Sequence, residues 1–187
     1  METRSNRSST WRHAAAIGAC LVLGWFAFVR ETRVPLLGLV DLGFHELGHL
    51  VTYPLPDVVT AAMGSVTQVL VPVGLALYFL LLRGDRVGAG VCFAWAATSA
   101  QDASVYIADA PSQRLSLIGG QHDWAFVLGP QHLNALRSAH AIAAVVKGIG
   151  FMLLVAGLAC CAAGLLRRPR VRPPAPIPRA AGSDMWR

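Results

Sequence analysis

Asp41-Leu42-Gly43-Phe44-His45-Glu46-Leu47-Gly48-His49-Leu50 contains the pattern His-Glu-x-x-His inside a run that is otherwise apolar from Val34 to Val51. On a helix, positions four apart differ by about 40° in direction, so His45 and His49 share a face one turn apart. Two imidazoles so placed suit one zinc ion. Glu46 then stands beside the metal, where a carboxylate can take a proton from water. Asp41 lies one turn further back on the same face, in position to accept the second ring N–H of His45 and fix its tautomer. In a soluble helix most such five-residue matches are surface residues. Within an apolar span, however, Asp, His, Glu and His are costly and persist mainly where they line a cavity or bind something.

The rest of the chain supports a membrane setting. Of 187 residues, 55% are hydrophobic and only 14% charged, where a soluble domain carries about a quarter charged residues. The apolar residues are also blocked into long runs. The expected fold class is therefore all-α, a polytopic membrane helix bundle of about five transmembrane helices, forming one domain over residues 14–166. The expected spans are 14–29, 34–53, 58–82, 87–108 and 139–166. A flexible basic N-terminus (1–13) precedes them, and a disordered Arg- and Pro-rich tail (167–187) follows. Tyr53-Pro54-Leu55-Pro56-Asp57 separates the second and third spans, because two prolines cannot sit in a continuing helix interior.

The net charge of +6 comes almost wholly from arginines near the ends of the runs. That suits lipid headgroups and topology control rather than nucleic acid, for which no basic-aromatic pattern is present. With five spans, Arg30, Arg33, Arg83, Arg86, Arg167, Arg168, Arg170 and Arg172 fall on one side, against Arg4, Arg7, Arg12, Arg114 and Arg137 on the other. Eight against five places the tail in the cytoplasm of a cell with this protein in its plasma membrane. The four cysteines all lie in apolar runs and form no C-x-x-C pair, so they read as small core residues.

Further polar residues fall where a site would need them. In the third span Ser65, Gln68 and Pro72 share a face, and Ser65 and Gln68 are candidates for positioning a substrate or for bonding between helices. In the fourth span Ser99, Asp102, Tyr106 and Asp109 share a face, so Asp102 and Asp109 imply a polar cavity at that end. The loop at 110–138 carries Gly119-Gly120-Gln121-His122-Asp123-Trp124, whose glycines permit a sharp turn. A catalytic zinc site has three protein ligands and one open position. The third is expected from this loop, with His122 slightly preferred to Asp123 and the other of the pair orienting it. Trp124 is expected to anchor the loop at headgroup level.

His45-Glu46-Leu47-Gly48-His49 within a span, with Gly64-Ser65-x-x-Gln68 in the next, resembles the site-2-protease-like membrane metallopeptidases, in particular small bacterial members. The resemblance covers about a quarter of the chain. It implies zinc as cofactor, His45 and His49 as ligands, Glu46 as catalytic base and a membrane-protein or peptide substrate cut in or near the bilayer. It would also favour a carboxylate, Asp123, as third ligand. The Asn-x-x-Pro-x-Pro-x-Leu-Asp-Gly segment that supplies this ligand in the family is absent from the chain, and no peptide-binding domain is inserted. A second class of function accommodates the same residues: a non-catalytic integral membrane protein with a metal- or proton-binding site, serving metal handling or transport.

Overall fold

A computed structural model describes residues 2–117 and 120–166, with side chains described from residue 10 onward; the tail from 167 and Gly119 lie outside the described residues. The described chain is all helical. Helix α1 runs Glu2–Gly24, α2 Leu37–Thr52, α3 Asp57–Leu77, α4 Arg86–Asp109, α5 Asp123–Leu128 and α6 Ala139–Leu166. Single π turns extend α1 to Val29 and α3 to Leu82. The breaks fall where the sequence places them. Thr52 ends α2 before the two prolines, and Leu55 N–H closes the turn on the Thr52 carbonyl. Asp85 caps α4 by accepting from Val87 N and Gly88 N, satisfying donors that a helix start leaves free.

Two boundaries differ from expectation. The polar residues before position 14 belong to α1, and no Gly or Pro between Glu2 and Ala16 interrupts the helix. The loop at 110–138 is not wholly irregular: it contains α5 and a 3₁₀ turn at Leu136–Ser138.

Three described segments are long and apolar enough to cross a membrane: Thr10–Val29, Asp57–Leu82 and Leu136–Leu166. Helices α2 and α4 are not among them. With 16 residues, α2 is about 24 Å long. Its outer face is nevertheless apolar and open, with Leu39, Val40, Leu50 and Val51 all exposed. Helix α4 has 24 residues but is polar in its second half. It is the inner helix, packed against α1, α3 and α6. Ala89, Ala94, Ala96, Ala97, Ala100 and Ala103 are all buried along it, and such small side chains let neighbouring backbones come close.

The α4–α6 contact shows how close. A Cβ on Gly157 would stand 2.6 Å from the Gly90 carbonyl oxygen, and one on Gly90 would overlap Cys161 Sγ. Gly157→Leu should therefore destabilise the bundle by about 1–3 kcal/mol or more. The measurement is thermal unfolding in detergent, with Gly148→Leu, whose Cβ meets nothing within 4 Å, as the neutral comparison.

Candidate metal centre

Helix α2 lies against α3 through glycines on both sides. A Cβ on Gly48 would run into the Met63 carbonyl, and one on Gly64 would stand 2.6 Å from Nε2 of both His45 and His49. The missing side chain of Gly64 is thus the space into which the two imidazoles point. Their rings lie 4.7 Å apart, edge to face. Asp123, the first residue of α5, comes in from the other side. Its Oδ2 is 3.1 Å from His45 Nε2 and 3.4 Å from His49 Nε2. The three ligand atoms all lie within 4.8 Å of one another.

The protons on both rings are set from behind. Gln68 Nε2 donates to the Ser99 carbonyl at 3.1 Å, so Gln68 Oε1 faces His45 Nδ1, also at 3.1 Å. That oxygen only accepts, so the proton of neutral His45 sits on Nδ1. His49 Nδ1 meets the Thr60 carbonyl at 2.8 Å, and the same argument applies. Each neutral ring therefore turns the Nε2 lone pair towards Asp123. With both rings neutral, three acceptors converge with no donor between them, an arrangement that a metal ion or a proton on one ring relieves. Donor atoms about 2 Å from a tetrahedral zinc stand about 3.3 Å from each other. The two His–Asp separations bracket that value, and the three residues could hold a metal ion.

Tyr106 holds the third member. Its hydroxyl donates to Asp123 Oδ2 at 3.2 Å and accepts from the Asp123 backbone N–H at 3.0 Å. Glu46 is exposed and lines the same cavity of about 560 Å³ as His45, His49, Tyr106 and Asp123. The same cavity is lined by Arg33 and Asp102, joined by an ion pair at 2.5 Å, and by Glu31, paired with Lys147 at 2.5 Å.

Several expected roles are corrected. His122 is not with the other three. It sits in extended backbone as the residue capping α5, its Nδ1 accepts from Ala125 N–H, and its ring stacks on Tyr106 at 4.3 Å. Its Nε2 lies 3.4 Å from Asp109 Oδ2 without a hydrogen bond. Burial lowers its pKa against the pull of Asp109 and Asp123, which agrees with a neutral ring accepting at Nδ1. The turn from extended to helical backbone sends the adjacent side chains in different directions, so Asp123, not His122, reaches the histidines.

Asp41 does not touch His45. Its Oδ1 accepts from Trp95 Nε1 at 2.7 Å and Ser99 Oγ at 2.8 Å, while Gln68 takes the place behind His45. Ser65 does not face the cavity either, because its hydroxyl accepts from Trp124 Nε1 at 2.9 Å. Trp124 thereby docks α5 on α3 instead of reaching for headgroups. Asp109 ties down the loop after α4, accepting from Ser112 Oγ and from the N–H groups of Arg114 and Leu115. Asp102 lines the cavity but is engaged by Arg33.

Sequence reasoning singled out Gly64 with Ser65 and Gln68 but not as the space that receives the two imidazoles, and it overlooked the Thr60 carbonyl and the clasp of Tyr106 on Asp123. Tyr106 carried a signal, since it falls on the polar face of α4 with Ser99, Asp102 and Asp109. A backbone carbonyl carries none. No protein-family model, curated protein or solved structure is significantly similar to this chain, so the family resemblance rests on the motif residues themselves.

The Gly64 space generates a direct test. Gly64→Ala should cut the zinc content of the purified protein well below that of the unaltered chain. Gly74→Ala, where a Cβ meets nothing within 4 Å, should leave it unchanged; elemental analysis after gel filtration reads both.

Proposed function

We propose that this chain is a membrane-embedded zinc metallopeptidase that hydrolyses a peptide bond of a membrane protein or membrane-associated peptide. The observation that carries the reading is the convergence of His45 Nε2, His49 Nε2 and Asp123 Oδ2 beside a cavity that Glu46 also lines. Zinc held there supplies Lewis acidity, polarising a carbonyl and acidifying water. The chain's residues do the rest. Gln68 and Thr60 keep the imidazole protons off the metal side. Glu46 takes the proton of the attacking water on a carboxylate oxygen and delivers it to the departing amine.

The second reading, a non-catalytic metal or proton site, draws on the same pair: a protonated His45 at 3.1 Å from Asp123 Oδ2 makes an ion pair with no metal. Glu46 separates the two. For a peptidase, Glu46→Gln should retain zinc and lower cleavage of a panel of transmembrane peptides in liposomes by 100-fold or more, at the scale of a lost general base (about 10²–10⁴). His45→Ala should lose zinc and cleavage together. Zinc binding without any cleavage by the unaltered protein, in membranes and in detergent, would favour the second reading.

The proposed topology is five crossings of the cell membrane with the tail in the cytoplasm. The exposed apolar face of α2 supports a lipid-facing position for that helix. Enclosure of α4 by α1, α3 and α6 explains how a helix with Asp102, Gln101 and Ser104 can cross without meeting lipid. Single cysteines placed in the tail and near Ser112, in a background without the native four, should label from opposite faces of the membrane. Labelling from one face would sink the topology.

A further inference from the structure

Resting on the metal-site reading above, we infer that Tyr106 is the positioning residue for Asp123, and that its hydroxyl sets the affinity of the site. The two histidines stand on one continuous helix and their rings are fixed by Gln68 and Thr60. Asp123 has no such frame. It begins a six-residue helix, lies 78 residues after His45 in the chain, and follows an irregular segment. What sets its carboxylate is a single phenol. The Tyr106 hydroxyl accepts from the Asp123 backbone N–H at 3.0 Å and donates to Asp123 Oδ2 at 3.2 Å. A hydroxyl has one proton and two lone pairs, so it makes both bonds at once. It thereby fixes the main chain of Asp123 and the rotamer of its side chain together.

The phenol is itself well placed. Its ring stacks on His122, with centroids 4.3 Å apart and planes 22° from parallel, and lies 5.9 Å from the His45 ring. Tyr106 stands on α4, the inner helix of the bundle, so the reference point for the ligand on α5 is the most enclosed element. His122, although not a ligand, supports the site through this stack. Side chains that hydrogen-bond a metal-binding carboxylate orient it, and their loss typically weakens metal binding 10- to 100-fold.

The test is zinc affinity of the full chain in detergent, measured by competition with a chromophoric chelator, for the unaltered protein and for Tyr106→Phe, Asp123→Ala, His45→Ala and Tyr106→Phe with Asp123→Ala. Phe keeps the ring, its stack on His122 and its tilted contact with His45, and removes only the hydroxyl. Tyr106→Phe should weaken zinc binding about 10- to 100-fold, while metal-free thermal unfolding and helix content stay at their unaltered values. In the Asp123→Ala background the same change should have no further effect, because Tyr106 acts through Asp123. A purely structural role would lower metal-free stability and weaken binding equally in both backgrounds, and that result overturns the inference. So does unaltered affinity in Tyr106→Phe alongside loss of zinc in His45→Ala, which leaves the metal site standing. An unaltered protein that binds no zinc overturns the metal site and this inference with it. Cobalt substitution supplies a second readout should Tyr106→Phe unfold in the chelator assay: its visible spectrum, recorded at saturating cobalt, should shift in Tyr106→Phe and match the unaltered spectrum if the phenol has no part.

Discussion

Three lone pairs aimed at one small volume are the constraint on which the rest of this structure depends. Left alone, two neutral imidazole nitrogens and a carboxylate oxygen at 3.1 and 3.4 Å repel each other. Keeping them there requires each of the three residues to be anchored by further bonds. His45 Nδ1 is tied to Gln68, His49 Nδ1 to the Thr60 carbonyl, and Asp123 to Tyr106 at both its main chain and its carboxylate. Buried polar groups left without partners cost about 1–3 kcal/mol each. For His45 and Gln68, both buried, the bond that aims the lone pair also removes that cost.

The second layer runs through α4. Ser99 links two otherwise separate groups: its carbonyl receives Gln68 Nε2, and its hydroxyl donates to Asp41, which also takes Trp95 Nε1. A carboxylate 4% exposed inside an apolar bundle needs such donors. The consequence is that α2 is pinned to α4 at Asp41 and to α3 at Gly48 and Gly64, one helical turn to either side of His45. The ligand helix is held by polar bonds on one flank and close backbone contact on the other. This explains why a helix of only 16 residues, open along its outer face, can carry the site.

What the sequence disclosed follows from range. The helical fold, the breaks at Pro54 and Pro56, and the shared face of His45 and His49 are local properties, set by period and by residues within one turn of each other. The end of the fourth span and the loop with Asp123 were legible as lying near the histidines, because polar residues in apolar spans must meet. The assignment between His122 and Asp123 was not legible. It turns on the backbone angles at one residue, φ −93° and ψ 105° at His122, which decide which of two adjacent side chains faces α2. The role of Asp41 was misread for a similar reason. Spacing along α2 puts it beneath His45, but Gln68 arrives from α3 and Trp95 from α4, and contacts between helices have no period in the sequence. The hydropathy of α4 points the same way: its polarity is low-scoring for a span, yet its surroundings are other helices and not lipid.

The division of the site between a rigid and a delivered part has a consequence for assembly. His45, Glu46 and His49 come into register as soon as α2 forms, and Gly64 and Gln68 follow when α3 docks beside it. Both steps join neighbours in the chain across a short turn. Asp123 depends on α4 and α3 both, because its N–H is bonded to Tyr106 and its neighbour Trp124 to Ser65. The order of the chain is thus also an order of increasing sequence separation, and loop-closure entropy makes the last contact the most dependent on the others. A metal ion held by all three residues would act on this last contact most, because it would tie the carboxylate on α5 directly to the two histidines of α2, adding to the hold that Trp124 on Ser65 and Tyr106 already give that helix.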